Sequence, residues 1–472
     1  GIKETVAVFT PEAGPELRCK LMRLTPHSAV LEVASPDAVL RASGVLPDFR
    51  LLAHERVIYS GRAVVQQALE TGSTSLYELT LAEDAWSDLV FNGAELQSER
   101  LTTQFRDFLG EWQKLYRIEA DYKVVVADMH SFFSDLKLWL DQVQMNVRAS
   151  KGRDAAGLEN EVAVNLAGPV LPCIDVLFEK FEHIAGRIDA EQVAAHRNYM
   201  RRQLHALFLC TPFAHRTFIK PLGYAGDYEM VNMIARNRPE GDSLYAKVVH
   251  AWFVRQPPAE AHRNRLKYLV DKLATETLRV MRSGGRARIL NLACGPAHEV
   301  QEFMASEPIA EHAEFKLVDF NEETLAHVRN GLDQIRHRTG RRTKAIYSRN
   351  SVYHLLKEAV RQRAHDGGGP AGEQQDYVYC AGLFDYLTDQ VCVQLLGLMY
   401  QWLAPGGLLV ITNVEPRNPL RQGMEHLLDW HLIYRSAPQL LKLKPEGVAP
   451  DDVRVLSDDT GVNVFLEIRK PA

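Results

Sequence analysis

Apolar and polar positions change period twice along this chain. Between Leu17 and Asp88 the runs are short and alternate, as in Ala29-Val30-Leu31-Glu32-Val33, which is the period of half-buried strands. Strands are expected at Leu17–Leu24, Ser28–Val33, Arg50–Ile58, Arg62–Gln67 and Ser75–Leu81, with Pro26, Pro36, Gly44, Pro47, Gly61 and Gly72 as punctuation. Closely spaced strands of this kind predict a small β-barrel or sandwich over residues 1–90. From Ala94 to Arg282 the period becomes helical. Leu101, Phe105, Phe108, Leu109 and Trp112 recur at spacings of three and four, and Phe132, Phe133, Leu136, Leu138, Trp139 and Leu140 give a broader apolar surface. Further helices are expected over Val170–Ile184 and Gln192–Phe208, making residues 91–282 a spacer, a homodimerisation unit or a lid.

Beyond Arg286 the two periods alternate. Strands are expected at Ala287–Leu292, Phe315–Val318, Lys344–Tyr347, Tyr377–Cys380 and Gly407–Thr412. Helices are expected from His298, over Leu325–Gln334, Ser351–Arg361 and Asp389–Trp402, and a loop from Asp366 to Glu373. Val453–Leu456 and Val462–Ile468 flank Ser-Asp-Asp-Thr-Gly and predict a closing hairpin. The fold class for residues 283–472 is therefore α/β, Rossmann-like, with a mostly parallel sheet covered on both faces.

Composition adds limits. A length of 472 residues implies two or three domains, and 46% hydrophobic with 24% charged residues is ordinary for a globular chain. The net charge of -5 (55 Lys and Arg against 60 Asp and Glu) argues against a nucleic-acid-coating protein. Six dispersed cysteines without a CxxC pair read as reduced thiols, and no metal-ligand cluster stands out. No uninterrupted run approaches a membrane span, and the first residues lack a basic stretch followed by an apolar one. A cytoplasmic location is the expectation.

Ligands of such sheets bind at the carboxyl ends of the strands. After the first strand stands Asn291-Leu-Ala-Cys-Gly-Pro-Ala-His298, whose small residues admit a ligand to the backbone. With one glycine it is not the GxGxxG of dinucleotide sites. The second strand ends in Asp319, placed to accept both hydroxyls of a ribose, although an acid there also suits a helix N-cap. Asn321, before Glu322 and Glu323, has the stronger cap signature.

The order of these segments resembles class I S-adenosylmethionine-dependent methyltransferases. Ile289-Leu-Asn-Leu-Ala-Cys-Gly-Pro-Ala looks like their first motif, Leu317-Val-Asp-Phe-Asn their second and Asn350-Ser-Val their third. Asp376-Tyr-Val-Tyr-Cys-Ala-Gly-Leu-Phe-Asp-Tyr-Leu looks like the fourth, Leu403-Ala-Pro-Gly-Gly-Leu-Leu-Val-Ile the turn and fifth strand, and the hairpin their reversed last strand. The resemblance implies S-adenosyl-L-methionine as cofactor. Ala293, Cys294 and Gly295 would meet its methionine part, Asp319 and Asn321 the ribose side, and Asn350 and Ser351 the adenine. Ala381 and Gly382 would lie near the sulfonium, and Asp385 is a candidate both for the cofactor and for the acceptor. Two positions depart from the pattern: an acid is usual where Asn291 stands, and Asp is frequent at Asn350.

Candidates for the methyl acceptor's contacts, and for the catalytic roles, are Tyr224, Tyr228, His431 and Tyr434, with Asp227 and Tyr386 beside them. Gly-Tyr-Ala-Gly-Asp-Tyr and Asp-Trp-His-Leu-Ile-Tyr-Arg are similar to a bacterial group associated with 3-hydroxypalmitic acid methyl ester biosynthesis. That implies O-methylation of a fatty-acid carboxylate for quorum signalling. The alternatives are methylation of a protein or another metabolite, and a cofactor sensor without catalysis. Residues 17–88 resemble a PilZ domain, yet Arg23-Leu-Thr-Pro-His-Ser28 lacks the Asp and Gly of its nucleotide motif and no RxxxR precedes it. Cyclic di-GMP is therefore not the expected ligand of the barrel.

Overall fold

The structure is a computed structural model and describes residues 5–11, 16–33, 40–53, 56–71, 74–82, 85–86, 118–149, 154–358 and 374–472. The chain divides into two compact units, one of Gly1–Ala225, Asn237–Val254 and Pro419–His431, the other of Gly226–Arg236, Arg255–Asn418 and Leu432–Ala472.

The first unit begins with six antiparallel strands: β1 (Thr5–Phe9), β2 (Leu17–Leu24), β3 (Ser28–Val33), β4 (Val45–Ala53), β5 (Arg56–Thr71) and β6 (Thr74–Leu81). They close in the order β1-β2-β3-β6-β5-β4, the barrel rather than the sandwich. Alternation puts Ala29, Leu31 and Val33 of β3 inside with Phe9, Phe49, Leu51, Tyr59 and Leu79. Two strand expectations are corrected. β1 escaped notice because five residues ahead of Pro11 carry little periodic signal. The single strand expected at Arg50–Ile58 is the end of β4 and the start of β5, which pair antiparallel. Gly61 does not end a strand but lies within β5: a Cβ there would sit 2.4 Å from the Ala85 Cβ, so close packing selects the glycine.

Long helices follow at Ala120–Ala149, Ala155–Ala185 and Val193–Phe208, with shorter ones at Pro212–Ile219 and Leu244–Arg255. Asp154 caps the second, accepting from the Ala156 N–H. Phe133 packs on Phe208 at 4.5 Å between centroids and Phe178 on Trp252 at 4.3 Å, supplying an aromatic core. The ion pairs Lys180–Asp128 and Arg148–Glu159 set the first two helices antiparallel. One feature went unseen in the sequence. Ala156–Ala185 holds a window of mean hydropathy 1.5, long and apolar enough by composition to cross a membrane. Asn165, Pro169 and Pro172 break the run of apolar letters and concealed it. The helix expected around Leu101–Trp112 and the loop from Asp366 to Glu373 lie outside the described residues.

The second unit is built on a seven-stranded sheet: β7 (Ala287–Leu292), β8 (Ala313–Asp319), β9 (Lys344–Arg349), β10 (Gln375–Cys380), β11 (Leu403–Val414), β12 (Val453–Ser457) and β13 (Asn463–Arg469). Its order is β12-β13-β11-β10-β7-β8-β9. The five strands from β9 to β11 are mutually parallel, and β13 runs antiparallel to β11 and to β12. Alternate residues of β10 feed opposite faces: Tyr377 and Tyr379 join one core with Ile289 and Phe315, and Val378 and Cys380 join the other with Leu290 and Leu409.

The unit does not begin at position 283. The helix Pro257–Arg282 contributes Leu269, Leu273 and Val280 to the sheet's core, and the helix Tyr228–Arg236 belongs with it, whereas Pro419–His431 leaves it for the first unit. The chain runs outward from β7 to β9, then crosses to β10 and β11 on the other side of β7. The order therefore reverses between β7 and β10, the switch point outside whose carboxyl ends sheets of this kind leave a ligand crevice.

Candidate functional site

The crevice is lined first by the turn after β7. Ala293, Gly295 and Ala297 all take left-handed backbone, with φ of 54°, 52° and 47°. Two of the three are alanines, in a region that costs an L-residue about 1–2 kcal/mol. The turn is held by its neighbours: the Cys294 N–H donates to Val318 O at 3.0 Å, and the Gly295 N–H to Asp319 Oδ2 at 3.1 Å. A Cβ built on Gly295 would meet open space, so the glycine serves its φ and leaves the backbone approachable.

Asp319, 5% exposed, ties three segments together. Its Oδ2 accepts from Gly295, its Oδ1 from the Asn321 N–H at 3.0 Å, and its main-chain oxygen from the Asn350 N–H at 3.0 Å. Asn321 is the N-cap of the helix Glu322–Thr339, accepting from the Thr324 N–H at 2.9 Å. Ser351 is a cap as well, its Oγ accepting from the His354 N–H. Cys294 is buried, and burial first, then Asp319 and Glu299, push its thiol well above the usual range. It is no nucleophile.

Beneath the turn lies an acid that sequence reading missed. Glu299 Oε1 accepts from Asn291 Nδ2 at 2.8 Å and from the Tyr379 hydroxyl at 2.7 Å. A carboxylate from the first turn of the next helix thus stands against position 291, with Asn291 as its donor. Burial raises the Glu299 carboxyl, opposed by Tyr379, Arg265 and Asn291. The spacing Asn291 to Glu299 was visible, but nothing in it pairs a strand residue with a helix residue.

The other wall is the turn after β10. The Gly382 N–H donates to Thr412 Oγ1 at 3.1 Å, and its φ is 92°. A Cβ there would lie 3.1 Å from Nη1 of Arg265, a buried residue of the helix Pro257–Arg282 whose charged neighbours are Asp385 and Glu299. Arg265 was also missed, because its segment read as part of the helical block. Asp385 occupies a short 3-10 turn and is 3% exposed; its Oδ1 accepts from the Val414 N–H at 2.6 Å. Arg435 clamps the same loops, donating to Phe384 O, Leu387 O, Asn413 Oδ1 and Asp389 Oδ1.

Burial raises the Asp385 carboxyl from 3.8 to about 6, against the opposing charges of Arg265 and Arg435. The proton's stabilising contribution is therefore complete below about pH 3.8 and lost as pH rises through about 6. Wild type should lose about 2 kcal/mol relative to Asp385→Asn between pH 4 and pH 7.5. Urea denaturation of both proteins at the two pH values measures this, and parallel pH dependences would place the carboxyl in an ordinary environment.

The four candidate catalytic residues do not share one unit. Tyr224 and His431 belong to the first, Tyr228 and Tyr434 to the second. The Tyr228 hydroxyl donates to Glu323 Oε1 at 2.7 Å and its ring lies 4.7 Å from that of His327, joining two helices. Asp227 caps the helix beginning at Tyr228, accepting from the Met230 N–H at 3.0 Å. His431 is 4% exposed, with Nε2 3.0 Å from Asp429 Oδ1, and burial lowers its pKa. Tyr224 follows the turn in which Gly223 bonds Lys220, Tyr386 closes the Asp385 turn, and Tyr434 precedes Arg435.

No family model matches the chain, and no curated protein matches it. Solved structures share parts of it. A possible exported protein from Bordetella parapertussis aligns at 18% identity over 65% of this chain and 97% of its own, with a TM-score of 0.41. The N-methyltransferase NodS from Bradyrhizobium japonicum WM9, in complex with S-adenosyl-L-homocysteine, aligns at 15% identity over 45% of this chain and 88% of its own, with a TM-score of 0.29. Magnesium protoporphyrin IX methyltransferase (ChlM) from Synechocystis PCC 6803 aligns at 10% identity over 51% of this chain and 93% of its own, with a TM-score of 0.32. All three TM-scores lie below 0.5.

Proposed function

We propose that the second unit is the catalytic domain of an S-adenosylmethionine-dependent methyltransferase. The observation that carries the reading is the crevice between β7 and β10. It joins a left-handed small-residue turn, a buried strand-end carboxylate at Asp319 tied to that turn and a glycine beside a buried Arg265, in a sheet whose β13 is reversed. These residues fit the cofactor: open space over Gly295 admits its methionine part, and Asp319 can accept both ribose hydroxyls. Asn350 and Ser351 would border the adenine, Ala381 and Gly382 the sulfonium, and Arg265 the methionine carboxylate. The bound cofactor would supply an electrophilic methyl group.

What the chain then does is position. A carboxylate acceptor needs no base, so rate follows from aligning its oxygen with the methyl and excluding water. The tight turns at Gly295 and Gly382 are tied to Asp319 and Thr412, which suits that task. The acceptor we infer is a 3-hydroxy fatty acid methylated on its carboxylate, as in quorum-signal synthesis; the Gly-Tyr-Ala-Gly-Asp-Tyr and Asp-Trp-His-Leu-Ile-Tyr-Arg stretches support this. The barrel is read as a PilZ-like regulatory module.

Calorimetric titration with S-adenosylmethionine and S-adenosylhomocysteine tests the cofactor reading. Saturable binding is expected, and methyl transfer to 3-hydroxypalmitate would follow by mass spectrometry. Folded protein that binds neither would remove the proposal. Binding without transfer to any fatty acid would leave another acceptor or a sensor.

A further inference from the structure

Four basic side chains converge inside the first unit. Arg62 comes from β5, Arg197 and Arg201 stand one turn apart on the helix Val193–Phe208, and Lys220 follows the helix Pro212–Ile219. Arg62, Arg201 and Lys220 each lie 5.5–5.9 Å from the centre of the Phe218 ring. Arg197 is 2% exposed, and the side chains of Arg201 and Lys220 are 11% and 0% exposed. The buried acid among them is Asp429, 2.8 Å from Arg201 and 3.8 Å from Lys220. Neighbouring acids are committed elsewhere, Glu425 to Arg421 and Glu78 to Arg23.

We propose that Arg62, Arg197, Arg201 and Lys220 form a binding site for an oxyanion, a carboxylate or a phosphate. Three guanidiniums against one buried carboxylate leave an excess of positive charge, and a guanidinium cannot discard its proton. Lys220 can, and burial, helped by the three arginines, lowers it to about 7; Arg201 is answered by His426 O, Glu425 O and Asp429, which leaves Arg62 and Arg197 short of acceptors. Their donors show the same deficit. Arg62 donates through Nη2 to Phe218 O at 2.9 Å and Arg197 through Nη1 to Thr80 Oγ1 at 3.3 Å, while the buried Nε of each has no acceptor. A planar oxyanion suits such forked donors.

Neighbouring imidazoles are disfavoured as cations by burial and by these charges together. Burial and then Arg201 push His205 down to about 4, and burial and then Arg197 lower His426 and His431. Asp429 is held well below the carboxylate range by Arg201 and Lys220 despite its burial. Asp429 opens the Asp-Trp-His-Leu-Ile-Tyr-Arg stretch, and Lys220 lies three residues before Gly-Tyr-Ala-Gly-Asp-Tyr.

Thermal unfolding of the full chain at pH 7 in phosphate, acetate or chloride at matched ionic strength is the test. Phosphate or acetate at about 20 times its dissociation constant should raise Tm by about 4 °C or more over chloride. The stronger of the two identifies the ligand class. Arg197→Met and Arg62→Gln should abolish the difference, and Arg62→Gln decides alone should Arg197→Met fail to fold. Equal Tm in all three salts, or an undiminished difference in the folded variants, would overturn the proposal. S-adenosylmethionine titration of the same samples reads the other unit, so the two proposals fail separately.

Discussion

Arg435→Met is expected to cost about 3–5 kcal/mol of folding stability. The Arg435 side chain is 3% exposed and its guanidinium answers two main-chain oxygens, Phe384 O and Leu387 O, with Asn413 Oδ1 and Asp389 Oδ1. Methionine fills much of the volume but donates nothing, so the buried Phe384 and Leu387 carbonyls and Asn413 Oδ1 lose their donor together. The turn after β10 would loosen as a body, because Asp385 and Gly382 stand in it. Guanidinium denaturation should show the loss, and a change below about 1 kcal/mol would mean that water replaces the clamp.

The second large effect concerns the ligand. Asp319→Ala should weaken S-adenosylmethionine binding by about 5- to 150-fold, equivalent to about 1–3 kcal/mol of charge-assisted hydrogen bonding. The structure adds that the same change frees the Gly295 and Asn321 N–H groups, so the turn after β7 loses its tie to β8. Asp319→Asn separates the parts. Its Oδ1 can keep one of those bonds, so affinity should recover partly in Asn and not in Ala. Calorimetry on folded variants decides, and unchanged affinity in Asp319→Ala would take the residue out of the site.

Much of the α/β unit was legible because buried parallel strands leave dense apolar runs. β7 matched Ala287–Leu292 residue for residue, and β13 and the helix from His298 fell within a residue of expectation. Helix caps were legible too, since Asn321 before Glu322 and Glu323 is a local signal. The barrel was legible in kind but misread at β4 and β5, where Pro47 sits inside a strand at a register shift and Gly61 inside another. Both residues ordinarily punctuate, and only a neighbouring segment explains their presence.

What the sequence determined by itself is therefore the local and periodic part: three regions, the strand and helix alternation, the small-residue turn at Ala293–Ala297 and the strand-end Asp319. The tertiary structure alone decided the partners. It set Glu299 against Asn291 and Tyr379, brought Arg265 from a helical stretch to Gly382, divided the four candidate catalytic residues between two units, and surrounded Asp429 with cations from distant segments. The reason is physical. Period and capping depend on neighbours within a few positions, whereas a buried polar group must find its partner wherever the fold places one.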